Sequence, residues 1–161
     1  MPAHPTLYTL SHTPGTFKRF SKKAWTFQRT FQTPLTTLEP FVNAILSGLA
    51  PTMKGTVVID GYVFDPKNLW KFLSVLPHSR NLTHDWSIEA IDRESAKNLL
   101  IATFQDWIDF VFIPTPQPFT FYADHDEYTT FYAMTKSNLN RAVQPLLAQG
   151  FIEVADFKRA L

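Results

Sequence analysis

The tripeptide Phe-Tyr-Ala occurs twice, at 121–123 and 131–133, on either side of Asp124-His125-Asp126-Glu127-Tyr128. Strands over 119–123 and 129–134, joined by those polar residues, set Phe121 opposite Phe131 when Ala123 faces Thr129. Tyr122 then faces Thr130 and Thr120 faces Tyr132 on the other side. A slip of one residue would turn every ring to the wrong face, so the pattern commits this part of the chain to an antiparallel hairpin with a defined register.

The hairpin extends backwards. Residues 108–113, Ile-Asp-Phe-Val-Phe-Ile, read as a strand covered on both faces, and Pro114, Pro116 and Pro118 make a stiff connector into the hairpin. A three-strand meander over 108–134 follows. Upstream, Trp25, Phe27, Arg29 and Phe31 alternate with Thr26, Gln28, Thr30 and Gln32, the period of a half-buried strand over about 23–32. A strand at 86–91 and a closing strand at 151–157 complete the β-inventory. Asp60-Gly61, centred in the β-rich stretch 56–64, is the dipeptide of a tight hairpin turn, and a short hairpin is preferred there to one bulged strand.

Between these strands lie segments of helical period. Leu38, Phe41, Val42, Ile45, Leu46 and Leu49 share one face, with Thr36 and Glu39 spaced as a capping box. Asp65-Pro66 reads as a cap and first-turn proline for a helix bearing Leu69, Trp70, Phe72, Leu73 and Leu76. Asp92 stands ahead of a third stripe, Ala96, Leu99, Leu100, Thr103, Phe104 and Trp107. Leu139, Ala142, Val143, Leu146 and Leu147 mark a fourth helix that contains Pro145 and stops at Gly150. Helices mixed with hairpins predict an α+β fold: a mostly antiparallel sheet, built from the meander 108–134 with an N-terminal and a C-terminal strand, and about four helices packed on it. With prolines at 2, 5 and 14, residues 1–16 read as an irregular arm and 17–161 as a single α+β domain, a size at which one core suffices.

Composition removes several classes of chemistry. The chain has no cysteine, hence no disulfide, thiol nucleophile or cysteine-ligated metal. Its five glycines form neither G-x-G-x-x-G nor G-x-x-x-x-G-K, so the glycine-loop nucleotide sites are absent, and no cofactor is expected. No G-x-S-x-G, S-x-x-K or H-E-x-x-H occurs. No apolar run approaches the roughly 18 residues of a membrane span, so no membrane partner is expected. The lack of an apolar stretch after Met1 points to the cytoplasm.

Two surfaces remain. Asp124, His125, Asp126 and Glu127 crowd three carboxyl groups and an imidazole at the hairpin tip. Oxygen-rich clusters of this kind hold divalent cations, dock basic partners or stand as solvated acidic turns; the spacing matches no specific metal motif, and adjacent residues on a tight turn splay apart. His84-Asp85 resembles the pair that binds metal in HD phosphohydrolases, but those domains are all-helical and need further His and Asp ligands, and here it lies in a loop where Asp85 caps or turns the chain ahead of Trp86. The second surface is basic. Residues 1–38 contain Lys18, Arg19, Lys22, Lys23 and Arg29 and no acid, interleaved with Phe17, Phe20, Trp25 and Phe31. Cations among aromatics are what a single-strand nucleic-acid binder uses, but the alternation also turns Trp25, Phe27 and Phe31 to the core and leaves only the cations to water, the pattern of a solvated edge.

The reading preferred from sequence is a small cytoplasmic protein-binding module, comparable in size and composition to immunity, antitoxin or regulatory proteins. It would use the acidic tip and spare aromatic surface, with an unidentified protein partner. The alternatives are a metal-dependent hydrolase or nuclease centred on Asp124, Asp126 and Glu127, helped by His84 or His125, and single-stranded nucleic-acid binding by 17–31.

Overall fold

The computed structural model describes residues 2–23 and 25–161. Its strands are β1 (Tyr8–His12), β2 (Phe27–Gln32), β3 (Lys54–Tyr62), β4 (Trp86–Ala90), β5 (Ile108–Thr115), β6 (Thr120–Ala123) and β7 (Tyr128–Ala133). Its helices are α1 (Thr16–Ser21), α2 (Leu38–Ser47), α3 (Lys67–Phe72), α4 (Arg93–Gln105) and α5 (Lys136–Ala148). The strands make one antiparallel sheet in the order β1-β4-β3-β5-β6-β7-β2, an α+β fold as the hairpins and helical stripes predict.

The aromatic hairpin has the expected register: Thr120 opposite Tyr132, Phe121 opposite Phe131, Tyr122 opposite Thr130 and Ala123 opposite Thr129. One face of the sheet carries the main core. Phe121 packs edge-on to Phe110 and Phe131 and stacks on Phe104 of α4 with ring centroids 5.8 Å apart. On this face α4 lies against β3 and β4, α5 against β7 and β2, and α2 between the two helices. A buried phenylalanine is worth about 1.5–3 kcal/mol over an exposed one, so this stack of rings is a dominant source of cohesion.

The opposite face has a smaller core of its own. Val58, Val111, Tyr122 and Tyr132 are buried there beneath Phe20, with Phe17, Trp25 and Ile113 packed at the margin. The helix α1 forms this cover, so it is an exception to the arrangement of helices on one face.

Local signals decide several ends. Asp92 accepts the Ser95 N–H at 2.8 Å, and the Ser95 hydroxyl bonds back, capping α4 as read. Gly150, at φ 81°, closes α5: its N–H donates to the Leu147 carbonyl and that of Phe151 to Leu146, a Schellman closure that returns Phe151 to the core.

Other expectations are corrected. The Asp60-Gly61 dipeptide is no hairpin turn: β3 runs straight through it, paired along β5, with a bulge between Ile59 and Gly61 that absorbs the extra residue. The supposed arm 1–16 contains β1, which pairs with β4 from Tyr8 opposite Ala90 to His12 opposite Trp86. Of the strand read over 23–32, residue 24 lies outside the described residues, and the strand begins at Phe27, with Trp25 turned to the smaller core. The closing strand 151–157 shrinks to one bridge, Glu153 to Phe31. No Thr36–Glu39 box forms; a turn of 3-10 helix, Leu35–Thr37, precedes α2, and Thr37 at its N-cap makes no side-chain bond. Asp65 does not cap α3 either. The carboxylate of Asp106 does so from the far end of α4, accepting the N–H groups of Asn68 at 3.1 Å and Leu69 at 2.7 Å.

Candidate functional site

Alternation along β5 sends Ile108, Phe110 and Phe112 to the main core and Asp109, Val111 and Ile113 to the other face. Val58 on β3 and Tyr122 and Tyr132 on β6 and β7 point the same way. Tyr62 pairs with Ile108, Phe110 with Ala123, and Ala123 with Thr129, so β3 ends, β5 begins, and the β6–β7 turn closes at one end of the sheet. The antiparallel order thus gathers Asp60, Asp109 and the 124–127 turn into an acidic end, on the face that bears the smaller core.

The turn itself is held from two sides. Asp124 Oδ1 accepts the N–H groups of Asp126 at 2.9 Å and Tyr128 at 3.0 Å, and its Oδ2 accepts from the Arg159 guanidinium at 2.7 Å. Asp109 Oδ1 accepts the backbone N–H of His125 at 2.7 Å and its ring Nδ1–H at 2.9 Å. That bond to Asp109 raises the His125 pKa above its ordinary value; partial burial opposes it, and the charges of Asp109, Asp126 and Asp124 add to the rise. Glu127 has φ 67°, the left-handed conformation that closes the turn. Within this frame the Asp126 side chain is 72% exposed, its Oδ1 3.8 Å from His125 Nε2, and Glu127 is exposed too. Of the expected tip residues, Asp124 and His125 therefore build the turn, and Asp126 and Glu127 are the ones presented.

Beside the turn, the Tyr122 hydroxyl donates to Asp60 Oδ2 at 2.6 Å. Burial, and then this bond, pushes the phenol above its ordinary range. His84 Nδ1 lies 3.2 Å from Asp60 Oδ1, and its Nε2 lies 3.5 Å from Asp85 Oδ1. Asp85 has a different duty from turning the loop alone. Buried, it accepts the N–H groups of Gly15 at 2.7 Å and Phe17 at 2.8 Å and so caps α1 across the sheet face. Burial works to raise its pKa, but the bonds from Phe17 and Gly15, with His84 and His12 nearby, outweigh it and hold the carboxyl below the usual range.

Asp124, Asp126, Glu127 and His84 do not converge. Among the described residues, no three His, Asp or Glu side chains gather where they could hold a metal ion. The basic candidates separate as well. Lys18, Arg19, Lys22 and Lys23 are exposed on and just after α1, whereas Arg29 lies on β2, paired with Glu153 through two bonds of 2.6 and 2.8 Å. The rings meant to stack on bases are packed away, Phe20 fully and Phe17 and Trp25 in part in the smaller core, and Phe31 fully in the main one.

Sequence reasoning missed Asp60, Asp109, Tyr122 and Arg159. For Asp109 and Tyr122 a signal existed: the alternation of 109, 111 and 113 places Asp109 on the Tyr122 face once β5 pairs with β6. Arg159 had none. No described helix is long and apolar enough to cross a membrane. Comparison with protein-family models, curated proteins and solved structures finds no match to this chain.

Proposed function

We propose that the chain is a small cytoplasmic protein-binding module that docks a basic surface of its partner on the acidic end of the sheet. The supporting observation is the held turn: Asp124 and Asp109 fix its backbone, while Asp126 and Glu127 project from it into solvent. A surface already fixed in its binding shape loses little conformational freedom on association, and a concentrated field of one sign steers a partner of the opposite sign. Asp60 and Asp109 behind the turn strengthen that field, and the cations of 18–23 lie outside the turn, on and just after α1.

The test is charge reversal at the two presented residues. The D126K/E127K variant is expected to melt within about 0.5 kcal/mol of the unaltered chain, since both side chains are exposed. It is expected to lose partners that the unaltered chain retains from cell extract and rebinds in purified form. Equal retention by the two would sink the reading.

A further inference from the structure

The segment that follows α5 crosses the edge of β2 and ends on the acidic face, making a different kind of contact at each step. Ile152 accepts the Gln32 N–H through its carbonyl at 2.9 Å, and the Val154 N–H donates to Thr30 at 2.8 Å, so the segment adds briefly as a strand. The Phe157 ring then lies on Tyr128, centroids 4.7 Å apart. The Gln28 side chain grips the backbone of Arg159 from both sides, its Oε1 accepting the N–H at 2.8 Å and its Nε2 donating to the carbonyl at 3.0 Å. The guanidinium sits 4.5 Å over the Tyr122 ring, donates to Thr130 Oγ1 at 3.1 Å and to Asp124 Oδ2 at 2.7 Å, and has a side chain only 12% exposed.

These are the elements of a peptide-recognition groove: strand addition at a sheet edge, a ring shelf, and a carboxylate with an aromatic face for a guanidinium. Yet residues 152–161 contribute no side chain to either buried core. The segment is held by hydrogen bonds and by the ion pairs of Glu153 with Arg29 and of Arg159 with Asp124, not by core packing, and such peripheral segments are the ones that open locally.

We infer that this groove is a binding site for an extended, arginine-bearing segment of a partner protein, and that residues 152–159 occupy it in cis. The partner's arginine takes the place of Arg159 between Tyr122 and Asp124, and an aromatic residue two positions before it takes the shelf of Tyr128. Positive charge in the incoming peptide matches the acidic end on which the guanidinium rests. The inference rests on the protein-binding reading and names the chemistry of its partner.

The probe is a fluorescein-labelled peptide with the sequence of residues 151–161, titrated by polarisation into the full chain and into a full-length F157A/R159A variant. A tethered occupant competes at an effective concentration of about millimolar, so emptying the groove is expected to tighten peptide binding at least about tenfold. Adding D124N to that variant, or replacing the peptide's arginine by alanine, is expected to abolish binding. The inference is overturned if the emptied, folded chain fails to bind millimolar peptide, or binds the arginine-free peptide equally well.

Amide exchange on the unaltered chain gives a reading that does not depend on the variant folding. The N–H groups of Val154 and Arg159 are expected to exchange at least about tenfold faster than that of Phe131; equal rates make the segment part of the fold and overturn the inference. A dimer formed by segment exchange between two copies, seen by sedimentation, overturns it in favour of self-association. No cellular partner enters these measurements. Loss of peptide binding with capture still dependent on Asp126 and Glu127 faults only the groove, and the converse faults only the acidic tip.

Discussion

The ring of Phe112 lies over the α-carbon of Gly55 so closely that a Cβ at that position would come within 3.0 Å of two ring carbons. Gly55 sits on β3, one residue from Thr56, which pairs with Ile113, and Phe112 is fully buried in the main core. The glycine is there because the ring uses the volume a side chain would take. G55A is expected to cost about 1–3 kcal/mol, the usual range for overpacking. F112L in the same background is expected to recover part of the loss. Urea melts of both single variants and the double variant read this as a coupling; strict additivity would contradict it.

Removing the carboxylate of Asp85 leaves the N–H groups of Gly15 and Phe17 without their acceptor. D85A is expected to lose about 1–3 kcal/mol, the penalty for unsatisfied buried groups, and to speed proteolysis between residues 14 and 23. The dependence on acidity has a definite sign. The folded pKa of Asp85 lies below its ordinary value, so its stabilisation is complete above about pH 3.9 and disappears as the pH falls through the lower folded value. Melts of D85N and the unaltered chain should therefore converge in acid; a constant gap would refute the assignment.

His125 has the opposite sign. Its bond to Asp109 raises the folded pKa above about 6.5, so the stabilisation is complete below that pH and fades as the pH rises through the folded value. In an NMR titration, D109N is expected to bring the His125 midpoint down. An unmoved midpoint would mean that Asp109 does not hold the ring.

The fork of Arg29 on Glu153 fastens the chain after α5 to the sheet edge. Glu153 is held below the ordinary carboxylate range, first by its bond from Arg29, with burial opposing. R29K keeps the charge and loses the two-pronged geometry. It is expected to cost at most about 1 kcal/mol and to accelerate exchange of the Gln32 and Val154 amides, with little change elsewhere. Unchanged exchange at those two amides would show that the backbone bonds alone fasten the segment.

What was legible in the sequence was local. The doubled Phe-Tyr-Ala set the β6–β7 register because facing rings leave one good alignment, and Asp92 announced α4 because its partner is three residues away. The Asp60-Gly61 dipeptide misled for the complementary reason. Its turn preference is a local one, and pairing with β5, nearly fifty residues on, overrides it. The site was legible in its least distinctive half, the exposed carboxylates of Asp126 and Glu127. The groups that give it shape act across long stretches of chain: Asp109 on His125, Asp60 on Tyr122, Arg159 on Asp124. No spacing rule records such pairs, which exist only once the strand order is known. The strand β1 was hidden for a further reason, since prolines on both sides of five residues of mixed polarity give no periodic signal.

Two of the helices take their first-turn acceptor from elsewhere in the chain, α1 from Asp85 and α3 from Asp106. Each is six residues long, well short of the roughly 12 needed to persist alone in water. Neither can therefore act as a seed from which the rest of the molecule grows. The order of events on refolding is constrained: β3, β4 and β5 must meet, and α4 must form, before the carboxylates that recruit these helices are in position. In the reverse direction, the loss of α1 would lift Phe17 and Phe20 from the smaller core while the sheet is still intact.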